Sequence, residues 1–245
     1  MDLSQYDKDT VIEAHKEAIR KLYRSSLYLV CKGLLGYKDV NKHTHGGTIA
    51  ALESDTQRKL IVLPRGSLKS SICDVAYPIW RLLRNYNERI LIDSELFGNS
   101  STFLREIKHH LENPDVTSIF GDFKTQDNWN QDSITIKQRS FPYKESSITC
   151  GGVGTTKVGQ HYTIIIGDDY NSPKNSGTPE GIEKVIRHYK YNMSILEPNG
   201  TYVIVGTRYS SRDIPGFILE DELGLKEHEQ ITGNYDTERV TDGLF

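Results

Sequence analysis

The sequence predicts an α/β protein built on a mostly parallel sheet with helices on both faces. Two observations carry that reading. From residue 59 onward, short apolar runs alternate with segments of helical period, the order that gives crossover-connected parallel strands. Those apolar runs are also near-continuous in Ile and Val, as in "TIIIGDD" and "TYVIVGTR", which fits strands buried on both sides. The 245 residues suffice for one large α/β domain, or one domain with appendages.

In chain order, residues 9–32 read as one amphipathic helix. Asp9 or Thr10 can cap it, Val11, Ala14, Ala18 and Leu22 recur at helical spacing beside Ile19 and Tyr23, and Gly33 and Gly36 end it. The polar "NKHTHGG" follows as a loop. "KLIVLP" is a strand, and 69–84 is a helix that Pro78 should kink or end in its first part. "RILIDSE" is a second strand, and 99–112 a second helix closed by Asn113-Pro114. "SITIKQ" and "SSITC" are two shorter strands suited to a hairpin. Then come the glycine-rich "GGVGTTKVGQ", the strand "YTIIIGDD", a helix near 179–195, the strand "TYVIVGTR" and a helix from near Arg212. The polar tail reads as a linker. The expected division is a helical segment at 1–46 packing on the core, the core at 47–225, and the start of a linker at 226–245.

Composition narrows the function. With 36% apolar and 26% charged residues and a net charge of −3, the chain is no dedicated basic nucleic-acid module, although a local patch could still bind DNA. Its apolar stretches are too short to span a membrane, and "MDLSQYDKDT" lacks a signal pattern. Cys31, Cys73 and Cys150 lie far apart and suggest neither a zinc site nor a disulfide framework, which fits a reducing compartment.

The chemistry concentrates in "LPRGSLKS", residues 63–70. Lys69 and Ser70 stand where the phosphate loop G-x-x-x-x-G-K-[ST] has its last two residues. Leu63 and Leu68 take its glycine positions, and Gly66 falls between them. Leu68 is expected in a right-handed or bridge conformation, because φ > 0 disfavours leucine. The second half of the constellation is "TIIIGDD". A parallel sheet brings the C-terminal ends of its strands to one edge, where ligands bind. Lys69 and Ser70 would then open a helix beside Asp168 and Asp169. Phosphates suit a helix N-terminus, so Gly66, Ser67, Leu68, Lys69, Ser70 and Ser71 are read as the cradle for ATP. Ser70 and Asp168 would hold Mg²⁺, and Asp169 would orient and deprotonate the attacking water. The plainer reading of "GDDYNSP" is a turn. Thr207, ending "TYVIVGT", is either a sensor of the γ-phosphate or a helix cap.

In order and spacing, "LPRGSLKS", "GGVGTTKVGQ" before "TIIIGDD", the "SPKNS" loop and "GTRYSSRDIPGFIL" resemble the large terminase subunit of tailed bacteriophages, the ATPase motor that packages viral DNA. The resemblance covers residues 59 to near 220. It implies a P-loop NTPase of the additional-strand (RecA-like) class, in which the strand after the acidic one lies beside the phosphate-loop strand and brings Thr207 near the γ-phosphate. It implies that Arg65, four residues before the lysine, acts on the γ-phosphate as an arginine finger does. Two departures are Leu68 in place of a glycine and Asp169 in place of a glutamate. Double-stranded DNA, a portal protein and a small terminase subunit are the implied partners. A homo-oligomeric ring is implied on assembly, with no membrane involved, in the host cytoplasm at the procapsid portal. Family members add a C-terminal nuclease, and the residues after Thr207 are too few for one, so no nuclease activity is expected here. Two other readings stay open at this point: a helicase-like motor, and a nucleotide-binding module without turnover.

Other polar residues read more plainly. Lys157 and His161 are candidates for a cation acting on a neighbouring subunit's nucleotide, or a solvated loop. Arg208 can pair with Asp213 or with phosphates. His43 and His45 suit a polar loop better than a metal site. Lys16, Arg20, Lys21 and Arg24 form a solvated helix face or a contact with DNA or a partner.

Overall fold

The Ile/Val runs become the strands of one six-stranded sheet. They are β1 (Arg58–Val62), β2 (Ile90–Ser94), β3 (Ser133–Ile134), β4 (Ile148–Gly152), β5 (Tyr162–Asp168) and β6 (Leu196–Gly206), in the order β1-β6-β5-β2-β4-β3. This is a computed structural model and describes residues 7–155, 157–210 and 212–225; the expected linker at 226–245 lies outside them. Every pairing is parallel except that of β3 with β4.

Alternation along the strands divides the core in two. Ile90, Ile92, Ile164, Ile166, Val203 and Val205 point to one face. That face is covered by α1 (Lys8–Ser25), α2 (Leu27–Leu29), α3 (Lys42–Glu53), α4 (Tyr77–Arg84), α5 (Phe97–Leu111) and α6 (Pro114–Phe120). Leu91, Ile165, Tyr202 and Ile204 point to the other face, covered by α7 (Pro179–Ser194) and α8 (Ile214–Phe217). Such double burial is why the strands read as unbroken apolar runs.

Register places the strand ends. Val62 pairs with Gly206, Asp168 with Val205 and with Ser94, and Ser94 with Gly152. The C-terminal ends of five strands therefore meet along one edge. β6, which leads into Thr207, lies between β1 and β5.

Several expected elements differ in detail. The helix expected over 9–32 breaks at Ser26, which turns to an extended backbone (φ −148°) and caps a second helix through its hydroxyl. That second helix runs on through Gly33 in a wide i→i+5 turn, Val30–Leu34. The first helix packs through Tyr23, Arg20 and Arg24, while Leu22 is 53% exposed. Arg20 Nε donates to Ile119 O at 2.6 Å and Arg24 Nε to Leu83 O at 2.8 Å, so these arginines satisfy last-turn carbonyls of α6 and α4. "NKHTHGG" is not a loop but the start of α3, because Asn41 accepts from Thr44 N at 2.8 Å as its cap. The strand expected at "SSITC" is β4, a buried interior strand parallel to β2, and only two residues of "SITIKQ" pair with it. Pro78, having no N–H, removes the bond to the Asp74 carbonyl, and the chain before it widens into an i→i+5 turn over Ser71–Ala76.

One close approach is fixed by a glycine. A Cβ on Gly167 would sit 2.5 Å from Tyr170 Cζ. That ring is buried, and its hydroxyl meets Asp93 Oδ2 at 3.1 Å. Gly167→Ala should therefore cost about 1–3 kcal/mol, read as a lower urea midpoint at unchanged slope.

Candidate functional site

The loop leaving β1 is locked to β6 at once, because Leu63 N donates to Gly206 O at 3.1 Å. It then reverses through Gly66 at φ 80° and Leu68 at φ 55°. The expectation of a right-handed Leu68 is thus overturned. A left-handed leucine costs roughly 1–2 kcal/mol. The fold holds it there because the side chain packs on the core while its carbonyl accepts Ile72 N at 3.0 Å and opens the helix. Among the described residues, no backbone N–H from 65 to 68 donates a hydrogen bond. A run of free amides ahead of a helix is a concavity suited to an anion.

Lys69 follows directly and is 8% exposed. Its Nζ donates to both carboxylate oxygens of Asp169 at 2.7 Å and to Thr207 Oγ1 at 3.0 Å. Thr207 in turn donates from its backbone N to Asp169 Oδ1 at 3.1 Å and from Oγ1 to Leu63 O at 3.2 Å. Three segments far apart in sequence therefore converge on one ammonium. Asp169 reaches it from a backbone at φ 38°. Leu68 and Asp169 are the non-glycine residues with positive φ among the described residues, and both flank Lys69. Strain of this kind collects at functional sites.

Asp168 points the other way and is 4% exposed. Burial first, and the neighbouring Asp169 second, push its carboxyl up to about 7, against the pull of Lys69. Asp74, absent from the sequence reading, stands against it. It is fully buried one turn past Ser70, and burial and Asp168 hold it well above the usual carboxylate range. Among the described residues no N–H or O–H reaches either Asp74 oxygen or Asp168 Oδ1. The two carboxyls face each other, which disfavours ionisation of both. Nothing in the sequence pattern marked Asp74, since one acid within an apolar helix carries no motif.

The remaining candidates fall outside this convergence. Arg65 is exposed and donates to Tyr209 Oη at 2.8 Å, with its guanidinium 5.9 Å from that ring's centre. Ser67 Oγ donates to Pro64 O at 2.8 Å and shapes the loop. Ser70 and Ser71, at the start of the helix, are half-buried. Arg208 Nε pairs with the buried Asp213 at 3.2 Å. His161 precedes the first residue of β5, so it lies at the opposite sheet edge from Asp168, and its N donates to Glu145 Oε1 at 2.9 Å. No hydrogen bond or ion pair joins Lys157 or His161 to Lys69 or the two aspartates among the described residues. His45 is buried in α3, where its Nδ1 accepts Asn41 N at 3.1 Å.

A second buried network was also missed. Asp93 Oδ2 accepts from His188 Nε2 and Asn192 Nδ2, each at 2.6 Å, and from Tyr170. This network clamps β2 to α7 beside the site.

No protein-family model matches the chain, and no curated protein shows significant similarity to it. No helix among the described residues is long and apolar enough to cross a membrane.

Asp168 and Asp74 hold their protons more tightly folded than unfolded, where carboxyls titrate near about 4. Their stabilisation is complete in acid and is lost as pH rises, for Asp168 through about 7. In metal-free buffer Asp74→Asn should raise stability at pH 8 by on the order of 1–3 kcal/mol and change it little at pH 5. Denaturation at the two pH values checks this.

Proposed function

We propose that the protein is an ATP-hydrolysing motor of the additional-strand P-loop class that translocates double-stranded DNA. The observation that carries the reading is the convergence of Lys69, Asp169 and Thr207 on one edge of the sheet, beside a loop of free amides. The position of β6 between β1 and β5 supports the additional-strand class.

ATP is the substrate, with its phosphates on the 65–71 loop. Lys69 exchanges the Asp169 carboxylate for the β- and γ-phosphates. Asp169, released, accepts the proton of the attacking water, as its partial exposure permits. Thr207 stays hydrogen-bonded to Asp169 and orients it. Arg65 leaves Tyr209 to meet the γ-phosphate as charge develops. Mg²⁺ fits the residues present, since Asp168 Oδ1 is buried without a donor and Ser70 opens the adjacent helix. Those two residues would hold it, and it would neutralise phosphate charge.

The resemblance to large terminase subunits extends the reading from ATP hydrolysis to viral DNA packaging. It supplies the partners as well: a portal protein, a small terminase subunit and further copies in a ring, working at the procapsid portal in the host cytoplasm. One observation favours a second reading. Lys69 is already neutralised by Asp169, which suits a module that binds nucleotide without turnover.

Phosphate release with and without DNA separates the two. Asp169→Asn should lower turnover about 10²-fold or more while ATP affinity is kept or tightened, because Lys69 loses its competing carboxylate; parental turnover in this variant would refute the assigned base. Lys69→Ala should weaken both binding and turnover, and unchanged affinity would remove the loop from the phosphate site.

A further inference from the structure

Asp74 is a buried acid at this edge with no role in the mechanism above. It lies four residues after Ser70, about one turn along the same helix, in the wide turn that Pro78 imposes. Its exposure is 0%, and neither oxygen has a donor among the described residues. Asp168 faces it within hydrogen-bonding reach, and Oδ1 of Asp168 is equally unserved. Three carboxylate oxygens on these two facing, buried side chains thus have no N–H or O–H partner among the described residues. Lys69 does not fill it, because its ammonium is bound to Asp169 and Thr207. No three His, Cys, Asp or Glu side chains gather at one point among the described residues, so any cation here rests on two carboxylates and the nearby serine. An all-oxygen donor set of that kind suits a hard divalent cation.

We propose that Asp74 is a cation ligand alongside Asp168, forming with Ser70 a divalent-cation site that fills without nucleotide. This deepens the reading of the same site, in which Ser70 and Asp168 alone serve a cation delivered with ATP. A second carboxylate adds a full negative charge to the donor set. The cation then has a protein site of its own and does not depend on phosphate oxygens for its affinity. Bound there, it would also end the confrontation of the two buried acids.

The test is titration of the nucleotide-free protein with Mn²⁺, followed by electron paramagnetic resonance of free Mn²⁺ and by calorimetry. One Mn²⁺ per chain is expected, competed by Mg²⁺. Asp74→Asn should weaken it at least tenfold, and Asp74→Glu should restore part of the affinity. Circular dichroism and a cooperative melt confirm that each variant is folded. Absence of Mn²⁺ binding without nucleotide would overturn the proposal. So would equal Mn²⁺ affinity in Asp74→Asn and the parent. ATP affinity measured separately distinguishes the two ideas: ATP binding without nucleotide-free Mn²⁺ binding sinks only the Asp74 site. Mn²⁺ binding without ATP binding sinks the nucleotide reading and keeps the cation site.

Discussion

Everything at the C-terminal sheet edge depends on giving Lys69 a counter-charge. An ammonium this buried cannot stand alone, because desolvation without a partner costs far more than the fold can spare. Asp169 supplies the charge, and the backbone bends to let it. The strand end turns to φ 38° at Asp169, and the loop enters the helix through a left-handed Leu68. Thr207 completes the arrangement by bonding Lys69, Asp169 and the Leu63 carbonyl together. The ends of β1, β5 and β6 are therefore tied by one small polar knot rather than by apolar packing. A knot built around one cation can be opened by an anion that offers the lysine a better partner, and that makes it suited to a phosphate.

Much of this was legible beforehand. The doubly apolar strands declare a sheet covered on both faces, and the pairing of "LPRGSLKS" with "TIIIGDD" puts Lys69 and the two aspartates at one edge from the sequence alone. What escaped was conformational. The position of Leu68 argued for a right-handed backbone on intrinsic preference, but preference is worth only a kcal/mol or two and the buried lysine outweighs it. The first helix was misread on its packing face because Arg20 and Arg24 do the docking by satisfying carbonyls at other helices' ends. A periodicity count sees only apolar positions. "NKHTHGG" looked like a loop because its glycines and histidines masked an Asn cap.

The polar interior was the least legible part. Asp93, Tyr170, His188 and Asn192 are scattered over a hundred residues and meet only after the sheet and α7 have packed. Gly167 makes room for Tyr170 to reach that cluster. The network therefore constrains Tyr170 and Asn171, the two residues that follow the acidic pair. Asn171 in turn accepts the backbone N of Ile214 at 2.8 Å, fixing the start of α8. This cluster holds the chain just beyond Asp169 through Tyr170, while Asp169 itself is partly exposed.

Asp168 and Asp169 are neighbours in sequence with opposite surroundings. Asp169 lies against the Lys69 ammonium and is partly exposed. Asp168 faces inward to a second acid, where burial and neighbouring negative charge resist its ionisation. Two carboxyls separated in this way by their environments are suited to different chemistry. Exchange of the two would fail on geometry, because Asp168 ends β5 buried in the core while Asp169 lies past the strand in a left-handed turn at φ 38°. The difference between the acids therefore follows from the left-handed turn that ends a single strand, and from where Lys69 and Asp74 stand on the helix that faces it.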